Sequence, residues 1–115
     1  MNVTRFNEAT PYVAPNHHDM RSLRLQGFAP GGPEKFWAGL SHFLPGGGAG
    51  PDSSPLEKVY VVLAGALWVK AGDTECTLGP MDSCCIPGGE TREVKNLGNA
   101  VATMLVVMPY PEKTP

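Results

Sequence analysis

Residues 57–65 read Glu57-Lys58-Val59-Tyr60-Val61-Val62-Leu63-Ala64-Gly65. Val59, Tyr60, Val61 and Val62 are β-branched or aromatic, the types that pack well on a pleated, half-buried surface, and Gly65 breaks the run. The pattern predicts a strand over 59–63, continued over 66–70 on the far side of the break. Further short apolar runs follow at 74–78, 83–86, 90–95 and 101–108, with Gly79-Pro80 as one of the turns between them. Upstream, Ser22-Leu23-Arg24-Leu25-Gln26 alternates and is bounded by Gly27. A run at 36–44 is closed by Pro45-Gly46-Gly47-Gly48-Ala49-Gly50-Pro51, which reads as a loop. Roughly eight short strands punctuated by turn residues predict an all-β sandwich or barrel. No window of about twelve residues keeps an i, i+3, i+4 apolar stripe free of Pro and Gly, so helices are excluded as the main element.

The rest of the composition agrees. Among 115 residues there are 14 Gly and 12 Pro, a load that breaks or weakens helix interiors and supplies turns. The hydrophobic fraction of 42% is enough for one buried core, and the length is that of one domain. Residues 1–20 hold no sustained apolar period and are interrupted by Pro11 and Pro15; they are expected as an extended N-terminal arm before a single domain at 21–115. A net charge of −2 offers no footprint for nucleic acid or anionic lipid, and no apolar run reaches the roughly 20 residues of a membrane helix. Cys76, Cys84 and Cys85 make no C-x-x-C pair, and the opening residues lack the basic patch and apolar stretch of a secretory signal. A reduced, cytoplasmic setting is therefore expected.

The run 46–96 resembles the cupin family of small jelly-roll barrels. A first cupin motif reads G-x5-H-x-H-x3,4-E-x6-G, and residues 57–65 look like its closing portion, often written EEVYYVLEG. The second motif, G-x5-P-x-G-x2-H-x3-N, is similar to Asp82-Ser83-Cys84-Cys85-Ile86-Pro87-Gly88-Gly89-Glu90-Thr91-Arg92-Glu93-Val94-Lys95-Asn96. The resemblance implies a cupin-like jelly-roll β-barrel and a homodimer. Most cupins hold a divalent metal with two His and a Glu from the first motif and a His from the second. Counting back from Gly65 puts Lys58 at the Glu position and Asp52 and Ser54 at the His positions; Arg92 takes the second-motif His. Lys and Arg have no lone pair to offer a metal at neutral pH. No metal and no other cofactor is expected. A slip of one residue would place Glu57 at the Glu position, which restores one ligand and not a site.

Strand alternation then gives the altered site a chemistry of its own. With Lys58 facing inward, Tyr60 and Val62 face inward too. Arg92 suits the grip of a carboxylate or phosphate, and burial beside another cation lowers the pKa of Lys58 toward a proton-transfer range. The expected function is metal-independent proton transfer on a small anionic molecule: isomerisation, elimination or decarboxylation. Arg92 would bind the anion with Asp52 and Ser54 at the rim. Lys58 would shuttle the proton, and Tyr60 would donate to an oxyanion. Three alternatives stand beside it. One is a non-catalytic binding module, and one is an Asp52–Lys58–Arg92 ion-pair network plugging the barrel. The third is a metal held by the non-standard set His42, Asp52 and Glu57.

The remaining candidates carry less. His42 is taken as a substrate contact or, more simply, a hydrogen-bonded strand histidine, and His17 and His18 as surface residues of the arm. Alternation puts one of Cys84 and Cys85 toward the cavity, where a nucleophilic thiol would need nearby positive charge. Gly46 to Gly50 lacks the Lys-Ser/Thr ending of a phosphate loop. Glu90 and Glu93 fall on opposite faces of a strand, against two-carboxylate chemistry.

Overall fold

A computed structural model describes residues 1–111 as an all-β jelly-roll barrel. A single 3-10 turn, Phe6–Glu8, precedes nine strands: β1 Thr10–Tyr12, β2 His17–Gln26, β3 Phe36–Asp52, β4 Lys58–Ala64, β5 Leu67–Ala71, β6 Thr74–Leu78, β7 Ser83–Ile86, β8 Arg92–Lys95 and β9 Ala102–Pro109. Every pairing is antiparallel, in the order β6-β5-β8-β3-β9-β4-β7, with β2 also on β3 and β1 beyond it. No helix among the described residues is long and apolar enough to cross a membrane.

Alternation builds the interior. Lys58, Tyr60 and Val62 of β4 are buried while Val59 and Leu63 are exposed. Ala102, Met104 and Val106 of β9 repeat the pattern. Phe43, Val62, Leu67, Ile86 and Val94, all nearly inaccessible, join them in one core.

The long strand β3 departs from the sequence expectation. Residues 45–51, read as a loop, lie inside it: residues 36–43 pair with β9, and Gly48, Ala49 and Asp52 pair with β8. Gly47 and Gly48 are there because backbones approach closely, whereas Gly46, with φ of 84° and open space around it, is favoured by its backbone conformation. A Cβ on Gly47 would run into the Asp19 carbonyl of β2, and one on Gly48 into the Val94 carbonyl of β8. The first 20 residues, expected as an extended arm, supply β1 and the first four residues of β2 to the same chain's sheet. Pro11 sits in β1 at the sheet edge, where a missing N–H is tolerated. Asp19, with φ of 49°, makes a register shift that breaks the alternation of β2.

Asn96, the last residue of the second motif and 1% exposed, holds β8 to β3. Its side-chain amide donates to the carbonyls of Phe43 (3.0 Å) and Ala100 (2.8 Å), and its Oδ1 accepts from the Gly98 N–H (3.0 Å). Its backbone N–H donates to the Gly47 carbonyl (2.9 Å), and its carbonyl accepts from the Gly46 N–H (3.0 Å). Replacing Asn96 with Ala leaves buried polar backbone without partners, at about 1–3 kcal/mol for each group left unmade. The urea unfolding midpoint of Asn96→Ala should fall by an amount matching a loss of about 2 kcal/mol or more; an unchanged midpoint would deny the clamp its role.

Candidate functional site

The packed core leaves a cavity of about 290 Å³ inside the barrel. One part of its wall is apolar: Trp37 and Phe43 from β3, Met104, Val106 and Met108 from β9, and Met20 from β2. The polar part comes from chain ends that converge. β3 finishes at Asp52, the following loop brings Ser54, β4 begins at Lys58 with Tyr60 two residues on, and β8 begins at Arg92. All five line the cavity. Arg92 and Asp52 are direct partners across the β3–β8 pairing, which explains how residues 40 apart in sequence reach one wall.

The charges are arranged unusually. Lys58 is 3% exposed and Arg92 9%, yet neither forms an ion pair within 4 Å among the described residues; the recorded pair there is Lys95–Glu93 at 3.4 Å. Asp52 instead accepts a hydrogen bond from the Ser53 N–H through Oδ1 (2.9 Å). Arg92 Nε and Nη1 are buried without a hydrogen-bond partner among the described residues. The plug of ion pairs considered above is therefore not what fills the barrel. Burial lowers the Lys58 pKa from its usual value, Arg92 lowers it further, and Asp52 opposes them. Burial pushes the Tyr60 phenol up to about 12, so it remains a proton-bearing donor.

His17 belongs to this wall, although the sequence reading left it on the surface. Asn16, with φ of 57°, turns the chain, donates from Nδ2 to the Pro51 carbonyl (2.9 Å) and accepts from the Gly50 N–H (2.9 Å). That seats His17 opposite Ala49 in β3. The Pro15-Asn16 turn was the available signal; it marks the start of a strand, whereas Pro15 was read only as an interruption.

Other candidates lie elsewhere. His42 does not line the cavity: its Nδ1 is 3.0 Å from Thr103 Oγ1 and its ring stacks on Phe6, because alternation in β3 turns Ser41 and Phe43 inward. Glu57 is exposed on an outer cleft with Phe36, Val59 and Cys85. The set His42, Asp52 and Glu57 is thus spread over three surfaces. Neither Cys84 nor Cys85 lines the cavity; both line a separate cleft of about 190 Å³ with Cys76, where β6 and β7, the two ends of the strand order, come together. Burial raises the Cys84 pKa, against a thiolate.

The donor set does not fit the divalent metal that most cupins hold. Two of the four corresponding positions are cations without lone pairs, and among the described residues no group of three or more His, Cys, Asp and Glu is placed to hold a metal ion.

Comparison with known proteins gives a consistent fold. The profile of the cupin domain matches residues 39–108. A curated relative named Beta-D-galactosidase Rv1717, from Mycobacterium tuberculosis, is 43% identical over 111 residues, covering 96% of each chain. Among solved structures, the polyketide cyclase RemF from Streptomyces resistomycificus superposes with a TM-score of 0.83 at 21% identity, covering 95% of this chain and 79% of that one. A sugar phosphate isomerase of the cupin superfamily from Silicibacter pomeroyi has a TM-score of 0.77 at 24% identity, covering 93% and 74%.

Two unpaired buried cations cost stability. Lys58→Met keeps the stem and removes the charge, and should stabilise the fold by about 1 kcal/mol, or roughly 4 °C in Tm. Because the folded pKa of Lys58 lies below 10.5, the unfolded chain binds more protons in that window, so wild-type stability rises as pH approaches 10.5. The Tm gap between the two proteins should accordingly narrow at high pH; a constant gap would trace it to packing alone.

Proposed function

The chain belongs to the cupin family, and from that premise we propose that its barrel cavity performs metal-independent acid–base chemistry on a small anionic molecule, as an isomerase, lyase or decarboxylase. The observation that supports this most is Arg92. A guanidinium with two buried, unpartnered nitrogens beside a cavity is a binding site awaiting an acceptor, since a buried charge without one costs several kcal/mol. A carboxylate or phosphate supplies the acceptor and the counter-charge together.

The neighbouring groups take roles that suit them. Lys58 faces the same space and carries the proton: its ammonium form is disfavoured by burial and by Arg92, so it gives up a proton more readily than a surface lysine. Tyr60 keeps its phenolic proton to well above neutral pH and donates to the oxyanion that forms as the substrate proton leaves. Ser54 and Asp52 at the edge of the site orient polar groups of the substrate. The apolar wall of Trp37, Phe43 and Met104 lowers the local dielectric and strengthens each of these interactions.

A second reading is β-galactoside hydrolysis, favoured by the name of a relative that is 43% identical over nearly the whole of both chains. Glycoside hydrolysis ordinarily uses a pair of carboxyl groups flanking the bond. Here Asp52 is the one carboxylate lining the cavity among the described residues, so hydrolysis would pair Asp52 with a cationic or phenolic acid.

Calorimetry and a chromogenic assay separate the readings. Wild-type protein should bind acetate or inorganic phosphate at one site, and Arg92→Met should weaken that binding by about tenfold to a hundredfold. Absence of anion binding, or binding indifferent to Arg92, would remove the first reading. Release of p-nitrophenol from p-nitrophenyl β-D-galactoside, lost in Asp52→Asn, would establish the second.

A further inference from the structure

We infer that His17 is the base of the cavity, its Nε2 taking the substrate proton while the Lys58 ammonium of the same cavity supplies one. The inference rests on the acid–base reading above and adds to it a residue on a different strand.

Three features of the geometry carry it. His17 lines the same cavity as Lys58, Tyr60 and Arg92, held there by the Asn16 contacts to Gly50 and Pro51 and by its pairing with Ala49. Its Nδ1 is 2.7 Å from the Pro15 carbonyl. A carbonyl only accepts, so Nδ1 must hold the proton of the neutral ring, which leaves Nε2 with a bare lone pair. His18, its neighbour, points away: its ring lies over Gly48 and is absent from the cavity wall.

The electrostatics agree with the role. Burial lowers the His17 pKa first; Arg92 from β8 and His18 from its own strand lower it too. The Pro15 carbonyl and Asp52 from β3 oppose them. Both groups are shifted toward their neutral forms, His17 from 6.5 and Lys58 from 10.5, so the imidazole is taken as the base and the amine as the group that carries a proton to give. The cavity takes a base from β2 and an acid from β4, which is what moving a proton between two atoms of one substrate requires.

The step balances without an outside reagent. The substrate's bond to hydrogen breaks, its electron pair stays on the substrate as an anion facing Arg92 and Tyr60, and a new N–H bond forms at His17 Nε2. Lys58 releases a proton to a second atom of the same substrate, giving an isomer of equal composition. His17 then loses its proton and Lys58 regains one by exchange with water at the cavity mouth.

The working form has His17 neutral and Lys58 charged. Turnover therefore rises as pH climbs through the depressed pKa of His17, below 6.5, and falls as pH climbs through that of Lys58, below 10.5.

The test needs no substrate. In full-length protein labelled with 15N histidine, the His17 ring should show its proton on Nδ1 and a bare Nε2 at pH 7, titrating below 6.5. Sodium acetate should shift that resonance in wild type and leave it unmoved in Arg92→Met. His17→Gln should keep acetate affinity within about twofold, which separates proton transfer from grip. A proton on Nε2 at neutral pH overturns the inference. So does a His17 resonance blind to acetate when calorimetry finds Arg92-dependent binding; the anion-site reading would survive that result. If acetate does not bind at all, both fall together.

Discussion

The hydrogen bonds of one buried residue, Asn96, hold β3 where its pairing passes from β9 to β8. β3 runs from one face of the barrel to another, paired with β9 over its first half and β8 over its second. Asn96 grips that strand where it crosses over, taking the Phe43 carbonyl and exchanging backbone bonds with Gly46 and Gly47. Ala49 lies opposite both His17 and Val94, and Asp52 lies opposite Arg92, so the second half of β3 brings His17, Asp52 and Arg92 to the wall that Lys58 and Tyr60 of β4 complete.

That wall places charge where a stable protein would avoid it. Lys58 and Arg92 are buried, like-charged and without an ion pair among the described residues, with Asp52 bonded to its own loop rather than to either cation. Such an arrangement is costly in isolation, and in the proposed reading a bound anion would supply the missing acceptors and the missing charge. The apolar remainder of the barrel, from Val62 to Val94, carries the folding energy that tolerates it.

How much was legible depended on the range of the interaction involved. The strand at 59–63, the break at Gly65 and the inward set Lys58, Tyr60 and Val62 are local patterns, and they appear in β4 as alternation requires. The second motif likewise led to Arg92 at the head of β8. The glycines of 46–50 misled because glycine marks both turns and close backbone approach; only the Asp19 and Val94 carbonyls beside Gly47 and Gly48 distinguish the two. His42 missed the cavity for a similar reason, since its side of β3 is set by a register that one residue reverses.

By itself, then, the sequence carried the all-β fold and the resemblance to the cupin family, which implies Asp52, Ser54, Lys58 and Arg92 at that family's ligand positions, since turn signals and period-two alternation are properties of neighbouring residues. Tertiary structure alone decided that Arg92 Nε and Nη1 lack a partner among the described residues, that the cysteines line a separate cleft, and that His17 joins the site. Those facts rest on pairings between residues some 30 or 40 positions apart, such as His17 with Ala49 and Asp52 with Arg92, and on an irregularity at Asp19 that no local pattern encodes.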